Sequence, residues 1–389
     1  MKLKLKNTPE QIELVKALGS KNPAVAREAS EAFAAFLGPG IQQVLLQAGT
    51  AGSIYVDAPF NEDDSPSYPL DLYYNEGVGN ISVWSQTMAG GLPTSMVSGG
   101  QELKISTYRL DSAVAFLKKY ARRSRLDVVS KGLERMAQEI LVKQERNAWA
   151  VVLKTLANAL HGTTKHVVGS TTEGVFQIHD LNRLMTLNKR LNESFANGTP
   201  DSAYSNGITD LFLSPEMMEQ VRSFAYQPMN TRKANGDSLS TDAASGGIAL
   251  PDNMREGIYR GAGMAEIYGV ALNELIELGI GKKYNTLFDS LLISDSVTTG
   301  IPGGGNNGAL AYDGSNDWAV ANDELLIGVD NSRGAFIRPI ATVDNASGGT
   351  FTVLPDDQFT QRADKTGFYG FLEEGRVCID SRAVVGLTV

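Results

Sequence analysis

Residues 126–160 read LDVVSKGLERMAQEILVKQERNAWAVVLKTLANAL, and this stretch decides the fold. Its apolar positions, Val129, Leu133, Met136, Ile140, Leu141, Ala148, Val151, Val152, Leu156 and Leu160, recur mostly three and four residues apart. That spacing gathers them on one side of an α-helix, and His161 with Gly162 supplies its stop. At 1.5 Å per residue, about 34 residues make a rod of roughly 50 Å. Few compact domains of this size need so long a helix.

Upstream lies a hairpin-like unit. Ile81 and Val83 alternate with polar residues as in a strand, and Leu103, Ile105 and Thr107 alternate again. Between them MAGGLPTSMVSGGQ, residues 88–101, carries Gly90, Gly91, Leu92, Pro93, Met96, Gly99 and Gly100, which predicts a long projecting loop in place of a tight turn. An isolated two-stranded ribbon is marginal in water, so this one is predicted to rest on another surface. Further upstream, Thr8, Pro9 and Gln11 start a short helix that stops at Gly19. Asn22 and Pro23 start a second, which is predicted to run to about Leu37 before Gly38, Pro39 and Gly40 break it. Residues 49–80 are rich in Gly, Pro, Ser, Asp and Tyr with little periodicity, a length unusual inside a compact domain. They are read as disordered or as lying against something outside their own core.

Downstream, residues 175–345 read as a mixed α/β domain. A helix is predicted over 180–194, DLFLSP at 210–215 is strand-like and leads into the helix EMMEQVRSF, and 264–275 and 324–332 are strand regions. SGG at 245–247 and GIPGGGNNG at 300–308 are loops. β pattern returns at Thr350–Leu354, Phe368–Leu372, Val377–Ile379 and Ala383–Val389.

The bulk properties narrow the function. The chain has 389 residues, 35 Lys plus Arg against 44 Asp plus Glu, and a net charge of −9. A grip on nucleic acid needs clustered positive charge, so that balance argues against one. Apolar residues make up 42%, enough for a sizeable core, and the length suggests about two domains. Glycine is in excess, with 40 residues against a usual ~7%. No stretch approaches the ~18 consecutive apolar residues of a membrane helix, and the charged start at Lys2, Lys4 and Lys6 has no apolar run after it. A single cysteine, Cys378, fits synthesis in a reducing cytoplasm.

Candidates for chemistry are few. His161 and His166 flank a helix end, where partial positive charge suits the dipole, and no Cys or carboxylate nearby completes a metal set. Cys378 sits in an apolar strand pattern and reads as a core residue. The Gly-rich GIPGGGNNG lacks the Lys-Ser/Thr of a phosphate loop. Catalytic, cofactor-binding and metal residues are therefore all expected to be absent. Two charged runs stand out: Lys118, Lys119, Arg122, Arg123 and Arg125, and the acidic Glu62, Asp63 and Asp64. The basic run reads as a solvated face, a salt-bridged contact between chains, or a DNA contact. Complementary runs of this kind set register and orientation between partners.

Taken in order, these parts resemble the major capsid protein of tailed bacteriophages, the Hong Kong 97-type fold. ISVWSQTMAGG through LKISTYRL is similar to the extended loop, the 126–160 segment to the spine helix of the peripheral domain, DLFLSPEMMEQVRSF and IYGVALNEL to pieces of the axial domain, and GFYGFLEEGRVCIDSRAVVGLTV to the closing strands. The resemblance implies an α+β fold with an N-terminal arm (1–79), extended loop (80–110), peripheral domain (111–174), axial domain (175–345) and returning peripheral strands with the chain end (346–389). It further implies a non-enzymatic protein of the virion, assembled in the host bacterial cytoplasm. Hexamers and pentamers of the chain would close an icosahedral shell around double-stranded DNA without sequence-specific contact. The implied partners are further copies of itself, a separate scaffolding protein, a portal and a decoration protein, with no membrane. Gly90, Gly91, Leu92, Pro93, Met96, Gly99, Gly100, Glu62, Asp63, Asp64, Lys118, Lys119, Arg122 and Arg123 are the expected subunit contacts. Some relatives crosslink through a loop lysine; residues 88–101 contain none, and Lys104 sits at the loop base, so no crosslink is expected. An encapsulin-like compartment resembles the same fold, and a soluble α/β enzyme is the alternative from another class.

Overall fold

The computed structural model describes residues 9–47, 49–61, 65–69, 102–123, 126–158, 160–161, 164–170, 174–191, 207–223, 264–295, 318, 321–342, 351–356 and 365–389. In chain order these form helices α1 (Pro9–Leu18) and α2 (Pro23–Gln47), then strands β1 (Val56–Asn61), β2 (Ser67–Pro69), β3 (Glu102–Lys104) and β4 (Tyr108–Leu117). Helices α3 (Lys118–Arg122) and α4 (Leu126–Asn158) follow, then β5 (Leu160–His161), β6 (Thr164–Lys165), β7 (Val167–Gly169) and α5 (Ile178–Leu191). Next come β8 (Asp210–Leu213), α6 (Pro215–Ser223), β9 (Met264–Ile267), β10 (Val270–Glu274), α7 (Lys283–Asp295) and β11 (Leu325–Val329). The chain closes with β12 (Phe336–Thr342), β13 (Thr352–Asp356), β14 (Lys365–Glu374), β15 (Val377–Cys378) and β16 (Val384–Thr388). The architecture is mixed α+β, and α4 has the 33-residue extent that its periodicity predicts.

The chain divides into two compact units, the first drawn from the Met1–Leu70, Gly99–Trp149 and Phe336–Val377 stretches. Its sheet runs β1-β12-β14-β13, with β4 also paired to β14. The β4–β14 ladder is antiparallel over ten pairs, from Leu117↔Lys365 to Tyr108↔Glu374. Alternation along β4 turns Leu110, Val114 and Phe116 toward a core of Val15, Leu18, Phe33, Met136, Ile140, Phe351 and Phe368. Phe368 is at its centre, with the rings of Phe33 and Phe116 at centroid distances of 5.4 and 6.0 Å. Close packing extends to the backbone: a methyl group on Gly370 would sit 2.6 Å from Phe351 Cζ.

Two expectations change here. The first 79 residues are read from sequence as an arm that buries little of itself, yet Val15, Leu18 and Phe33 are at most 1% exposed. α1 and α2 therefore belong to the core of their own unit. The second change is that α2 runs through Gly38, Pro39 and Gly40 to Gln47. A proline removes one helix hydrogen bond, here the one to the Ala35 carbonyl, without forbidding the helix on either side, and the following IQQVLLQ favours continuation.

The second unit takes its residues from the Ala150–Ala335 and Cys378–Val389 stretches, and its sheet runs β7-β16-β11-β8-β10-β9. Every residue of β11 and β16 is buried, so their apolar runs, LLIGV and VVGLT, are the centre of a sheet covered on both faces. Leu181, Leu184 and Leu191 of α5 and Met217, Met218 and Val221 of α6 share one core with Leu211, Leu272, Leu326 and Leu387. β9 and β10 form a hairpin whose turn, Tyr268 and Gly269, has φ of 54° and 80°. Positive φ at both turn positions matches the twist of the flanking strands, and glycine is the residue that adopts it without strain.

The predicted domain boundaries also move. β12, expected in the axial domain, joins the first unit's sheet beside β1. β16, expected among the returning peripheral strands, lies in the second unit between β7 and β11. A strand pattern records which faces are buried and carries no address for the sheet that buries them. The predicted strand at Ile81 and Val83, loop 88–101, and the loops at 245–247 and 300–308 lie outside the described residues.

Candidate functional site

The basic run falls where β4 passes into α3. Lys119, Arg122 and Arg123 are exposed and Lys118 is half-buried. Arg122 is committed within its own chain: its Nε donates to the Gly19 carbonyl at 2.8 Å, next to the C-terminal end of α1, where helix carbonyls lack partners and a cation is favoured. The Lys119 ammonium lies 5.3 Å from the Tyr120 ring. Glu62, Asp63, Asp64, Gly90, Gly91, Leu92, Pro93, Met96, Gly99 and Gly100 lie outside the described residues.

The most concentrated polar chemistry in the first unit was not anticipated. Glu374, fully buried at the end of β14, accepts from four side chains. Tyr108 Oη donates to Oε1 at 2.8 Å; Gln144 Nε2, Arg338 Nε and Arg376 Nη2 approach Oε2 at 3.1, 2.8 and 3.4 Å. The carboxylate thereby ties α4, β4, β12 and the turn after β14 to one point. Arg338 Nη1 also reaches Asp57 Oδ1 at 3.5 Å, and the Arg376 guanidinium stacks 4.6 Å from the Tyr55 ring. Burial, then the Glu374 charge, pushes Tyr108 up to about 12. A signal for this hub exists in the sequence: Leu372 and Glu374 share a strand face, so an inward Leu implies an inward Glu that needs buried partners.

Above the hub is a pocket of about 70 Å³, lined in part by Tyr55, Asp57, Gln144, Glu145, Arg338 and Arg376. Glu145 in its wall accepts from the Ala51 amide at 3.2 Å and from Thr50 Oγ1 at 3.1 Å. Glu145 and Glu374 are thus each engaged by donors from other segments of the chain, which suits them to holding those segments in register.

In the second unit the acidic groups are similarly engaged. Asp380 accepts from the Arg382 amide and guanidinium at 3.0 and 2.9 Å and from Arg333 Nη1 at 2.8 Å. Burial opposes its ionisation as the largest single influence, but Arg382 and Arg333 together hold its pKa below the ordinary value. Asp330 caps the short turn at Ser332, and burial raises its pKa. Glu324 accepts from the Ser214 hydroxyl, which in turn accepts from the Met217 amide at the start of α6 at 3.1 Å. Burial raises Glu324 against the opposing Ser214 hydrogen bond. Burial likewise pushes the Cys378 thiol up to about 12, leaving it protonated at neutral pH. His166 is buried with Nδ1 3.0 Å from the Val384 carbonyl, and His179 is exposed on α5. Among the described residues no group of three or more His, Cys, Asp or Glu could hold a metal ion, and no helix is long and apolar enough to cross a membrane.

No family model and no curated protein matches this chain. Solved structures do. It is similar to the capsid of the cyanophage P-SCSP1u, at 11% identity over 87% of this chain and 88% of that one, with a TM-score of 0.49. It is similar to the capsid of cyanophage Pam1, at 12% identity over 86% and 88% of the two chains, with a TM-score of 0.44. The SrpI encapsulin complex of Synechococcus elongatus PCC 7942 is also similar, at 10% identity over 86% and 84%, with a TM-score of 0.39.

Proposed function

We propose that this chain is the major capsid protein of a tailed bacteriophage, of the Hong Kong 97 type, and that its copies assemble as hexamers and pentamers into an icosahedral head around double-stranded DNA. The observation that carries this reading is the order of parts: an N-terminal helical pair packed on a sheet, a 33-residue helix, then a mixed sheet in which the chain's own last strand is an interior strand. The polar groups described above agree with it, since each concentrates on holding strands and helices together. The −9 charge suits a container whose wall does not bind its contents tightly.

In this reading the protein is a structural component of the virion, assembled in the host cytoplasm with a separate scaffolding protein, a portal and a decoration protein. The exposed Lys119 and Arg123, with half-buried Lys118, offer one contact between copies. Glu62, Asp63 and Asp64 offer the complementary charge, and the glycines at 90, 91, 99 and 100 allow a loop to fit pentamer and hexamer settings that differ slightly. Purified protein examined by size-exclusion chromatography and negative-stain microscopy should show capsomers or closed shells. A discrete small oligomer at every concentration refutes the proposal, and a shell that carries a protein cargo in place of DNA identifies an encapsulin-type compartment.

A further inference from the structure

Between β10 and α7, residues 275–282 form a braced loop with two outward isoleucines. Ile276 is 75% exposed and Ile280 44%, while Leu275 and Leu278 between them are 6% and 0% exposed. The loop is held from both sides: the Leu275 amide donates to the Leu213 carbonyl at 2.9 Å and the Tyr284 amide to the Glu277 carbonyl at 3.1 Å. Across the loop, the Lys282 amide donates to the Gly279 carbonyl at 3.0 Å. Buried Asn285 adds a side-chain brace, accepting from the Gly279 amide at 3.3 Å and donating to the Asp323 carbonyl at 3.2 Å.

Folding does not explain the isoleucines. The inward positions of the loop are already filled by Leu275 and Leu278, and an exposed turn is served as well by Asn, Ser or Asp. A rigid loop that presents apolar side chains loses little conformational freedom when they are covered, which is the property of a strong contact residue. The surrounding charges say what covers them. Exposed Glu216, beside Gly279, and half-buried Glu277 are balanced by exposed Lys282 and Lys283, so the patch is neutral and carries both signs in a chain of charge −9. In a chain of net charge −9, a neutral patch of mixed sign is a place where two copies can meet without net like-charge repulsion.

We infer that the 275–282 loop is a contact between copies of this chain, with Ile276 and Ile280 inserted against a second copy. This rests on the shell reading above and names a surface for it. The test is the full-length chain carrying Ile276→Asp and Ile280→Asp together, followed by sedimentation velocity and negative-stain microscopy beside the unchanged chain. The concentration needed for half-assembly should rise about tenfold or more, with an unchanged unfolding midpoint. If the unchanged chain forms particles and the variant does so at the same concentration, the loop contact is overturned and the shell reading stands. If the unchanged chain never assembles, both fall. Should the variant fail to fold, a benzophenone amino acid in place of Ile276 decides: chain-to-chain crosslinks inside particles support the contact, and their absence overturns it.

Discussion

Replacing Glu374 by Gln should destabilise the first unit more than any comparable surface change. The side chain is 0% exposed and its two carboxylate oxygens serve Tyr108, Gln144, Arg338 and Arg376. Glutamine keeps the shape but turns one acceptor into a donor facing donors, and it removes the negative charge. Arg338 retains Asp57 at 3.5 Å; Arg376, with 6% of its side chain exposed, has no other ion pair among the described residues. Removing one partner of a buried pair costs about 3–5 kcal/mol. For a urea slope of ~3 kcal/mol/M the midpoint should fall by about 1–1.7 M, measured by far-UV circular dichroism on unassembled chain. The Tyr108 pKa should also fall from about 12 toward 10 without reaching it, because burial is the larger cause and remains. A shift below about 0.3 M would refute the hub as a support of this unit and leave the ion pairs as ornaments of the surface.

Gly370→Ala should cost about 1–3 kcal/mol, because its new methyl group would meet Phe351 Cζ at 2.6 Å and Met136 Cε at 3.4 Å; an unchanged denaturation midpoint contradicts the packing. Phe33→Ala should cost about 3–5 kcal/mol through loss of the ring against Phe368, whereas a neutral result would mean that α2 is an arm after all. Glu324 has a folded-state pKa raised above its ordinary 4.5, so its contribution is complete below that value and declines as pH rises through the raised one. Glu324→Gln should therefore gain stability relative to the parent as pH rises above 4.5, and a constant difference in melting temperature would count against it. Half-buried Cys378 should react only slowly with a thiol reagent at pH 8 in the folded protein, since its pKa is pushed up to about 12; rapid labelling of folded protein would contradict that raised pKa.

What could be read in advance was whatever local pattern decides. α4 is legible because its apolar residues keep one period throughout 126–158, and α1 because Pro9 and Gly19 mark its ends. The β8–α6 step and the 264–274 strand region are legible for the same reason. The rest depends on distant partners. β1 pairs in parallel with β12, joining Asp57 and Arg338 across 281 positions, and nothing in VDAPFN names that partner. The burial of α2 depends on Phe368, far along the chain. Glu374 announces a buried charge, but its four donors come from separate elements and become visible only when these meet. At the contact surfaces, the basic run was legible as charge, while the use of Arg122 to hold Gly19 was not.

The central claim is that this chain builds a closed shell, and the direct measurement is cryo-electron microscopy of the full-length protein purified from an expressing cell, with scaffolding protein supplied if it does not assemble alone. Icosahedral particles whose facets resolve into hexamers and vertices into pentamers, with only monomer-sized bands after denaturation, are the predicted result. A monomer or small oligomer that forms no capsomer under any of these conditions would contradict it.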